Sequence, residues 1–194
     1  MRAKSNYIDQ EQFRLIIKHL DSLNLRKWTI LDVEYLFKIS YWCGLRMKEA
    51  VQLKKEDFDL INHEVYLGIT KGKKNQYAAI PVPFIPELNQ YLLSKPNGQL
   101  LPKCNPQIVR VWTRKLGKLL DIPAWTTPQQ ETGEKTRTHI FRKSIAKDML
   151  YGTHGKPAPL NVVQKQLRHS NLNTTSKYLQ IGLEDVKSYW DTTN

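Results

Sequence analysis

Two histidine-containing segments in the last third of the chain constrain its fold more than any other feature of the sequence. In the first, THIFRKSIAKDML, His139 lies three residues before Arg142. This spacing places both side chains on one face of a helix that Thr138 would cap. In the second segment, LRHSNLNTTSKYL, Tyr178 follows His169 by nine residues. If these side chains act together, the fold must bring the two segments into one place.

Two basic segments lie further upstream. GLRMKEA carries Arg46 and Glu49, three residues apart, and TKGKKNQ is a lysine-rich turn that contains Lys71, Lys73 and Lys74. In chain order the sequence thus offers arginine, lysine, histidine, arginine, histidine and tyrosine side chains. These residue types handle phosphate groups, so we expect them to assemble one phosphate-handling site.

The charge of the chain indicates a polyanionic partner. Its 194 residues include 30 Lys and Arg against 18 Asp and Glu, a formal charge of +12. Nucleic acid is the first candidate for the partner and an anionic membrane surface is the second. The sequence has no apolar run near the roughly 20 residues of a membrane span and no signal-peptide core at its start. We therefore expect a soluble intracellular protein that binds nucleic acid.

The two cysteines predict neither a disulfide nor a metal site. Cys43 lies in an apolar helical pattern and Cys104 in a proline-rich turn, so we expect no bridge between them. The sequence also has no C-x-x-C motif and no dense cluster of histidine and cysteine. The expectation is a protein of the reduced cytosol without an obligatory metal.

The hydrophobic pattern predicts a mainly α-helical α+β protein with a small antiparallel sheet. Asp9 and Gln12 resemble a capping box before the first helix, and Gly44 fits the stop after the second. The runs EVYLGI and QYAAIPV predict a hairpin around the lysine-rich turn, and residues 121–137 are predicted to form a loop. Further helices are predicted at residues 30–43, 47–53, 86–93, 106–120, 160–168 and 176–180, and from Thr138 onward.

Two arginines are suited to hold a phosphodiester during transfer to a protein nucleophile. That reaction builds negative charge around phosphorus, and catalysis needs fixed cations on the non-bridging oxygens. Arginine remains charged and presents a planar fork of donors. Arg46 and Arg142, arriving from separate helices, would each grip one oxygen.

The remaining residues offer a nucleophile and proton-transfer groups. The Tyr178 hydroxyl would attack phosphorus, and His139 would accept its proton. His169 would hydrogen-bond the phosphate, and Lys71 would protonate the departing 5′ oxygen. Lys71 is favoured over the other two lysines of the turn because it lies at the strand end. Glu49 would support an arginine or a histidine.

The order of these motifs resembles a known family. G-L-R-x-x-E, T-K-G-K-K, H-x-x-R-x-S-x-A, L-x-H-S and a tyrosine nine residues after the last histidine are together similar to the catalytic domain of tyrosine site-specific recombinases, or integrases. The resemblance covers about residues 7–190. It implies the DNA breaking-rejoining catalytic fold and strand cleavage and rejoining through a 3′-phosphotyrosyl intermediate, with no cofactor, metal or ATP. It assigns catalytic roles to Arg46, Lys71, His139, Arg142, His169 and Tyr178, and a supporting role to Glu49.

The resemblance also implies partners and an organisation. Double-stranded DNA at a recombination site is the expected partner, bound by a tetramer that is a monomer when free, in the cytoplasm on DNA and not at a membrane. Residues 1–194 are expected to form a single catalytic domain without the family's N-terminal core-binding domain, and residues 183–194 to pack on a neighbouring protomer. Arg168 stands where the family usually has a small residue. DNA contacts are expected from Lys73, Lys74, Lys143 and Arg168.

Alternatives remain open from the sequence. Each candidate side chain taken alone is also compatible with an ordinary solvated or packed position, and Tyr91, Tyr151 and Tyr189 are rival tyrosines. A type IB topoisomerase uses similar chemistry without paired sites. A DNA-binding regulator that has lost catalysis is the alternative from a different class. Recombination in integration, excision or resolution of a mobile element, plasmid or virus is the preferred hypothesis.

Overall fold

Eight α-helices and one three-stranded antiparallel sheet form the part of the chain that the computed structural model describes, residues 7–69, 75–101, 103–126, 139–171 and 175. The sheet has the order β1-β2-β3, with β1 (Phe58–Asp59), β2 (Glu64–Ile69) and β3 (Asn75–Ala79). The helices are α1 (Gln10–Lys18), α2 (Ile30–Trp42), α3 (Met47–Ala50), α4 (Ile85–Leu93), α5 (Pro106–Leu119), α6 (Pro123–Thr126), α7 (Ile140–Tyr151) and α8 (Leu160–Leu167). The predicted mainly helical class with a small sheet is confirmed. None of the described helices combines the length and the apolar character that crossing a membrane requires.

The chain divides into two compact units, Met1–Ile145 and Ala146–Asn194. Helix α7 contributes its first six residues to the first unit and the rest to the second. In the second unit, Ala146, Val163 and Leu167 form a buried apolar cluster. The expectation of a single catalytic domain stays a prediction.

An aromatic cluster holds the start of α7 inside the first unit. Phe141 lies 4.9 Å from Phe37 of α2, 5.6 Å from Trp125 of α6 and 6.0 Å from Phe13 of α1, measured between ring centroids. Phe13 in turn stacks on Tyr41 at 4.5 Å. Aromatic side chains bury large apolar areas, so this cluster fixes the backbone next to position 142.

Capping residues set the starts of the first two helices, and the sequence predicts the first of these caps. Asp9 and Gln12 form the expected reciprocal capping box at α1. Thr29 and Asp32 form another at α2, where the sequence analysis did not anticipate one. Helix α2 ends one residue before the predicted boundary, and Gly44 follows with φ of 59°, the left-handed conformation in which glycine avoids a Cβ clash.

A polar and aromatic network connects α2 to α4. The rings of Tyr35 and Tyr91 stack at 4.0 Å with an interplanar angle of 3°. Lys95 forms an ion pair with Asp32, and the Tyr91 hydroxyl donates to the same carboxylate oxygen at 3.4 Å. Lys38 pairs with Glu87, the first-turn acid of α4. The interface is thus both packed and charge-paired.

The hairpin is present with a shorter second strand than predicted. Tyr66 of β2 lies opposite Tyr77 of β3, and the register shifts between Tyr66 and Ile69. Strand β3 ends at Ala79, and a 3-10 turn follows at Val82–Phe84. Pro81 has no backbone N–H, so it cannot continue the ladder, which is why the run QYAAIPV does not form one strand throughout.

Two other elements differ from the sequence predictions by more than one residue. Helix α3 ends at Ala50 instead of residue 53. The segment predicted as a loop contains α6, with Pro123 at its first position and Trp125 almost fully buried. Proline favours the first turn of a helix, and burial of the indole stabilises it. Gly117 makes room for this helix, since a Cβ there would lie 2.6 Å from Cβ of Trp125.

The hydroxyl of Ser144 ties the segment before α1 to α7. The backbone N–H of Ile8 donates to Ser144 Oγ at 2.8 Å, and Oγ donates to the carbonyl of Ile140 at 2.9 Å. Ile8 and Ser144 have no exposed surface. The serine of the H-x-x-R-x-S-x-A motif therefore has a structural role in this chain.

Replacing Ser144 by alanine is expected to lower the free energy of unfolding by about 1–3 kcal/mol, because the N–H of Ile8 would lose its acceptor in the interior. Urea denaturation measures the change. The matched control is Ser94→Ala, since the Ser94 hydroxyl donates to the Tyr91 carbonyl at an exposed helix end. The control should change stability by less than about 0.5 kcal/mol. Equal losses in both variants would contradict the proposed anchoring role.

Candidate active site

Arg142 connects α7 to the end of α2. Its Nη1 donates to the carbonyl of Gly44 at 2.5 Å, and only 1% of the residue is exposed. Gly44 closes α2 in a Schellman motif, in which Leu45 N–H donates to Ser40 and Gly44 N–H donates to Tyr41. The acceptor of the arginine is therefore a rigid helix end.

Arg46 follows this helix end and is oriented by Glu49. Its backbone N–H donates to Glu49 Oε2 at 2.7 Å, and its Nη1 donates to Oε1 at 2.9 Å. The side chain of Arg46 is 40% exposed and that of Glu49 is 16% exposed. The carboxylate thus fixes both the start of α3 and the direction of a solvent-accessible guanidinium. Residues 44–49 therefore carry Arg46, Glu49 and the Gly44 carbonyl that accepts a hydrogen bond from Arg142.

The strand that leads to Lys71 approaches the same segment. A cleft of about 260 Å³ lies between α3 and β2 and is lined by Glu49, Leu67 and Gly68 among other residues. Leu67 and Gly68 precede Lys71 by four and three residues. Lys71 itself lies outside the described residues, as do Lys73 and Lys74.

The first unit also contains His139 and Lys143. His139 is partly buried and immediately precedes α7, so the α-helix begins one residue later than predicted. The expected cap Thr138 lies outside the described residues. Lys143 is only 3% exposed. The DNA contact expected from Lys143 stays a prediction.

His169 lies in the second unit, two residues after the last residue of α8. The helix ends in a second Schellman motif, in which His169 N–H donates to the carbonyl of Gln164 at 3.1 Å and Arg168 N–H donates to that of Lys165 at 3.0 Å. Arg168 adopts the left-handed conformation, with φ of 52° and ψ of 41°. It is thus outside the helix in which the sequence prediction placed it. The ring Nδ1 of His169 lies 3.0 Å from Oγ1 of the buried Thr175.

The tyrosines differ in how well suited their hydroxyl groups are to act as the nucleophile. Tyr91 is buried, and burial together with the Asp32 carboxylate raises the pKa of its hydroxyl far above the ordinary value. This opposes the deprotonation that attack requires. Tyr151 is exposed at the end of α7, beside Lys147. Tyr178 and Tyr189 lie outside the described residues, so the role of Tyr178 stays a prediction.

Gln164 and Thr175 contact His169, and no sequence pattern indicated either residue. Gln164 Nε2 donates to the backbone carbonyl of His169 at 3.0 Å. A glutamine in the last turn of a helix and a threonine six residues after the histidine are common residues, and only the fold places them together. In the described part of the chain, no group of three or more His, Cys, Asp and Glu side chains is arranged to hold a metal ion.

Comparison with known proteins identifies the family. Residues 6–183 match the phage integrase family. The chain belongs to this family. A curated relative, the tyrosine recombinase XerC of Chlorobaculum parvum, is 30% identical over 207 residues, which cover 95% of this chain and 60% of the relative. The chain spans about half to three-fifths of the length of its first curated relatives.

Solved structures share the fold of this integrase-family chain. The catalytic domain of bacteriophage HP1 integrase aligns with a TM-score of 0.63 at 18% identity, covering 96% of this chain and 94% of that domain. The XerH site-specific recombinase bound to palindromic difH substrate, in a post-cleavage complex, aligns with a TM-score of 0.68 at 20% identity, covering 97% of this chain and 52% of that one. The fold is that of a tyrosine recombinase catalytic domain.

Proposed function

We propose that this chain is the catalytic part of a site-specific DNA recombinase that cleaves and rejoins strands through a 3′-phosphotyrosyl intermediate. The observation that carries the proposal is the hydrogen bond from Arg142 Nη1 to the carbonyl of Gly44, two residues before Arg46. It joins two arginine-bearing segments that are 96 residues apart in the sequence. Convergent guanidinium groups are what a phosphate site requires.

In the proposed site, Arg46 and Arg142 hold the two non-bridging oxygens of the scissile phosphate. Arg46 is partly exposed and already oriented by Glu49, so a phosphate can approach it without reorganising its side chain. Preorganised donors stabilise charge that develops in the transition state, because little energy is spent in reorienting them. Glu49 acts in this scheme by positioning Arg46.

The remaining steps follow the chemistry of a phosphodiester exchange. The Tyr178 oxygen attacks phosphorus, and His139 accepts the phenolic proton. The P–O bond to the 5′ oxygen breaks as the new bond forms, and Lys71 donates a proton to that oxygen. His169 hydrogen-bonds a phosphate oxygen. Rejoining is the reverse transfer, in which a 5′ hydroxyl displaces the tyrosine.

Double-stranded DNA is the proposed partner, bound in the cytoplasm by a tetramer on paired sites. The excess of 30 Lys and Arg over 18 Asp and Glu favours a polyanion, and the XerH structure of the same fold is a complex with its difH substrate. Residues 73, 74, 143 and 168 remain proposed DNA contacts.

Covalent trapping tests the proposed function. The protein is mixed, with chelator and without ATP, with nicked duplexes that lose a short 5′-hydroxyl fragment on cleavage, so that religation is prevented. We expect protein-linked DNA from the wild type after denaturation, and none from Tyr178→Phe, which lacks the attacking oxygen. The matched control is Tyr151→Phe, which removes the hydroxyl of an exposed tyrosine and should leave the adduct intact.

Each result separates the hypotheses. Equal adducts from Tyr178→Phe and wild type would exclude Tyr178 as the nucleophile. Tight, salt-dependent DNA binding without any wild-type adduct would indicate a DNA-binding regulator. Relaxation of any supercoiled plasmid, without products joined between two sites, would indicate topoisomerase activity.

A further inference from the structure

We propose that Thr175 is a positioning residue that holds His169 in the tautomer with the proton on Nε2. In this arrangement the Thr175 hydroxyl donates to Nδ1, and Nε2–H is the hydrogen-bond donor of the ring. The inference rests on the proposed function, in which His169 hydrogen-bonds the scissile phosphate. It adds the group that sets the hydrogen-bonding direction of the ring.

The contact between Thr175 and His169 has the geometry of a hydrogen bond inside the protein. Oγ1 of Thr175 lies 3.0 Å from Nδ1, and Thr175 has no exposed surface. A buried hydroxyl is costly to leave without a partner, which favours this contact in the folded chain. It constrains the rotation of the imidazole about its side-chain bonds.

The backbone of His169 is held independently of its ring. Its N–H donates to the Gln164 carbonyl at 3.1 Å, and its own carbonyl accepts from Gln164 Nε2 at 3.0 Å. Gln164 therefore binds both sides of the His169 backbone. With the backbone and Nδ1 both fixed, the position of Nε2 is determined.

The group that contacts Nδ1 determines whether Nε2 donates or accepts a hydrogen bond. A neutral imidazole has one N–H donor and one acceptor nitrogen, and the partner of one nitrogen sets the role of the other. A carboxylate at Nδ1 accepts only, which makes Nε2 an acceptor and the ring a proton acceptor. A threonine hydroxyl can donate, which leaves Nε2–H to donate to an anionic phosphate oxygen. Thr175 thus suits a phosphate-binding histidine better than a general base.

Nitrogen-15 NMR of the histidine side chains in the full 194-residue chain tests this directly. The His169 signals are assigned by their loss in His169→Gln, and spectra are read at the high-pH plateau of a titration. We expect a pyridine-type Nδ1 signal and a pyrrole-type Nε2 signal from the wild type. The reverse pattern would overturn the proposal.

Variants of Thr175 provide a second test of the proposal. Thr175→Val keeps the shape and removes the hydroxyl, so we expect mixed tautomers. By analogy with residues that orient metal-binding histidines, we expect a covalent adduct rate roughly 10- to 100-fold lower. Thr175→Ser should restore both the tautomer and the rate. Thr153→Val, an exposed threonine in the same unit, is the matched control and should change neither.

The two readouts distinguish failure of this inference from failure of the proposed function. If Thr175→Val keeps the wild-type Nε2–H tautomer, Thr175 does not determine the tautomer of His169 and the inference is wrong. If Thr175→Val proves unfolded, the wild-type spectrum and Thr175→Ser still decide the tautomer. If the wild type has the expected tautomer but forms no adduct with DNA, the positioning is correct and the recombinase function is not.

Discussion

Arg46→Ala is expected to slow formation of the covalent DNA adduct by roughly 100- to 1000-fold, the usual effect of removing one preorganised donor from a developing negative charge. The fold should remain intact. The Arg46 side chain is 40% exposed, and its ion pair with Glu49 is a surface pair of the kind that contributes only about 0–1 kcal/mol. The backbone hydrogen bond from Arg46 N–H to Glu49, which starts α3, does not need the arginine side chain. Single-turnover trapping on nicked duplexes measures the rate, and thermal unfolding measures the fold.

Two further variants separate the loss of a phosphate clamp from the loss of one positive charge. Arg114→Ala removes an exposed arginine from α5 and serves as the matched control. It should leave the adduct rate near that of the wild type. Arg46→Lys keeps the charge without the planar fork, so we expect an intermediate rate. A similar decrease in Arg46→Ala and Arg114→Ala would mean that net charge alone is responsible and that Arg46 holds no phosphate.

The position of Arg46 at the start of α3 could be predicted from the sequence, because Gly44 is a strong signal for the end of α2. Glycine adopts the left-handed conformation without steric cost, so the end of α2 could be predicted to within one residue. That prediction placed Arg46 at the start of the next helix. The acceptor that Gly44 offers to Arg142 was not predictable, because it depends on residues 98 positions apart.

The end of α8 was also predicted to within one residue, but its sequence carries no comparable stop signal. Arg168 has the same left-handed conformation as Gly44, although arginine favours a helix and gives no stop signal. The Schellman hydrogen bonds and the burial of Leu167 determine this helix end. In both places the left-handed residue of a Schellman motif precedes a candidate site residue, Gly44 by two positions and Arg168 by one. A tight helix end fixes the direction of the chain that follows, which explains how short motifs can place reactive side chains accurately.

The network around Asp32 stabilises the helix that ends at Gly44. Asp32 completes the capping box of α2, pairs with Lys95 and accepts from the Tyr91 hydroxyl. Burial opposes ionisation of Asp32, but the hydrogen bonds from Lys95 and Thr29 and the charge of Lys95 outweigh it and lower its pKa. The folded state therefore favours the carboxylate.

Asp32→Asn is expected to lower the free energy of unfolding by about 2–3 kcal/mol, because Lys95 would be left without its counter-charge. This loss is somewhat smaller than for a fully buried ion pair. The side chains of Asp32 and Lys95 are 12% and 18% exposed, which reduces the loss. Urea denaturation measures it at neutral pH. Asp21→Asn, an exposed aspartate in the first unit, is the matched control and should change stability by less than about 0.5 kcal/mol. Equal losses would show that the network does not stabilise the fold.

The pH dependence of Asp32→Asn gives an independent test. Because the pKa of Asp32 is lowered on folding, its contribution is fully present above the ordinary value of 3.8 and is lost as the pH falls through the folded pKa. The difference in stability between wild type and Asp32→Asn should therefore be constant above about pH 5 and shrink below about pH 4. In a double-mutant cycle, Asp32→Asn with Lys95→Met should cost less than the sum of the single changes, since neither charge is then left alone. Additive losses, or a difference that does not vary with pH, would mean that Asp32 stabilises the fold through its hydrogen bonds with Thr29 and Tyr91 instead of through the ion pair with Lys95.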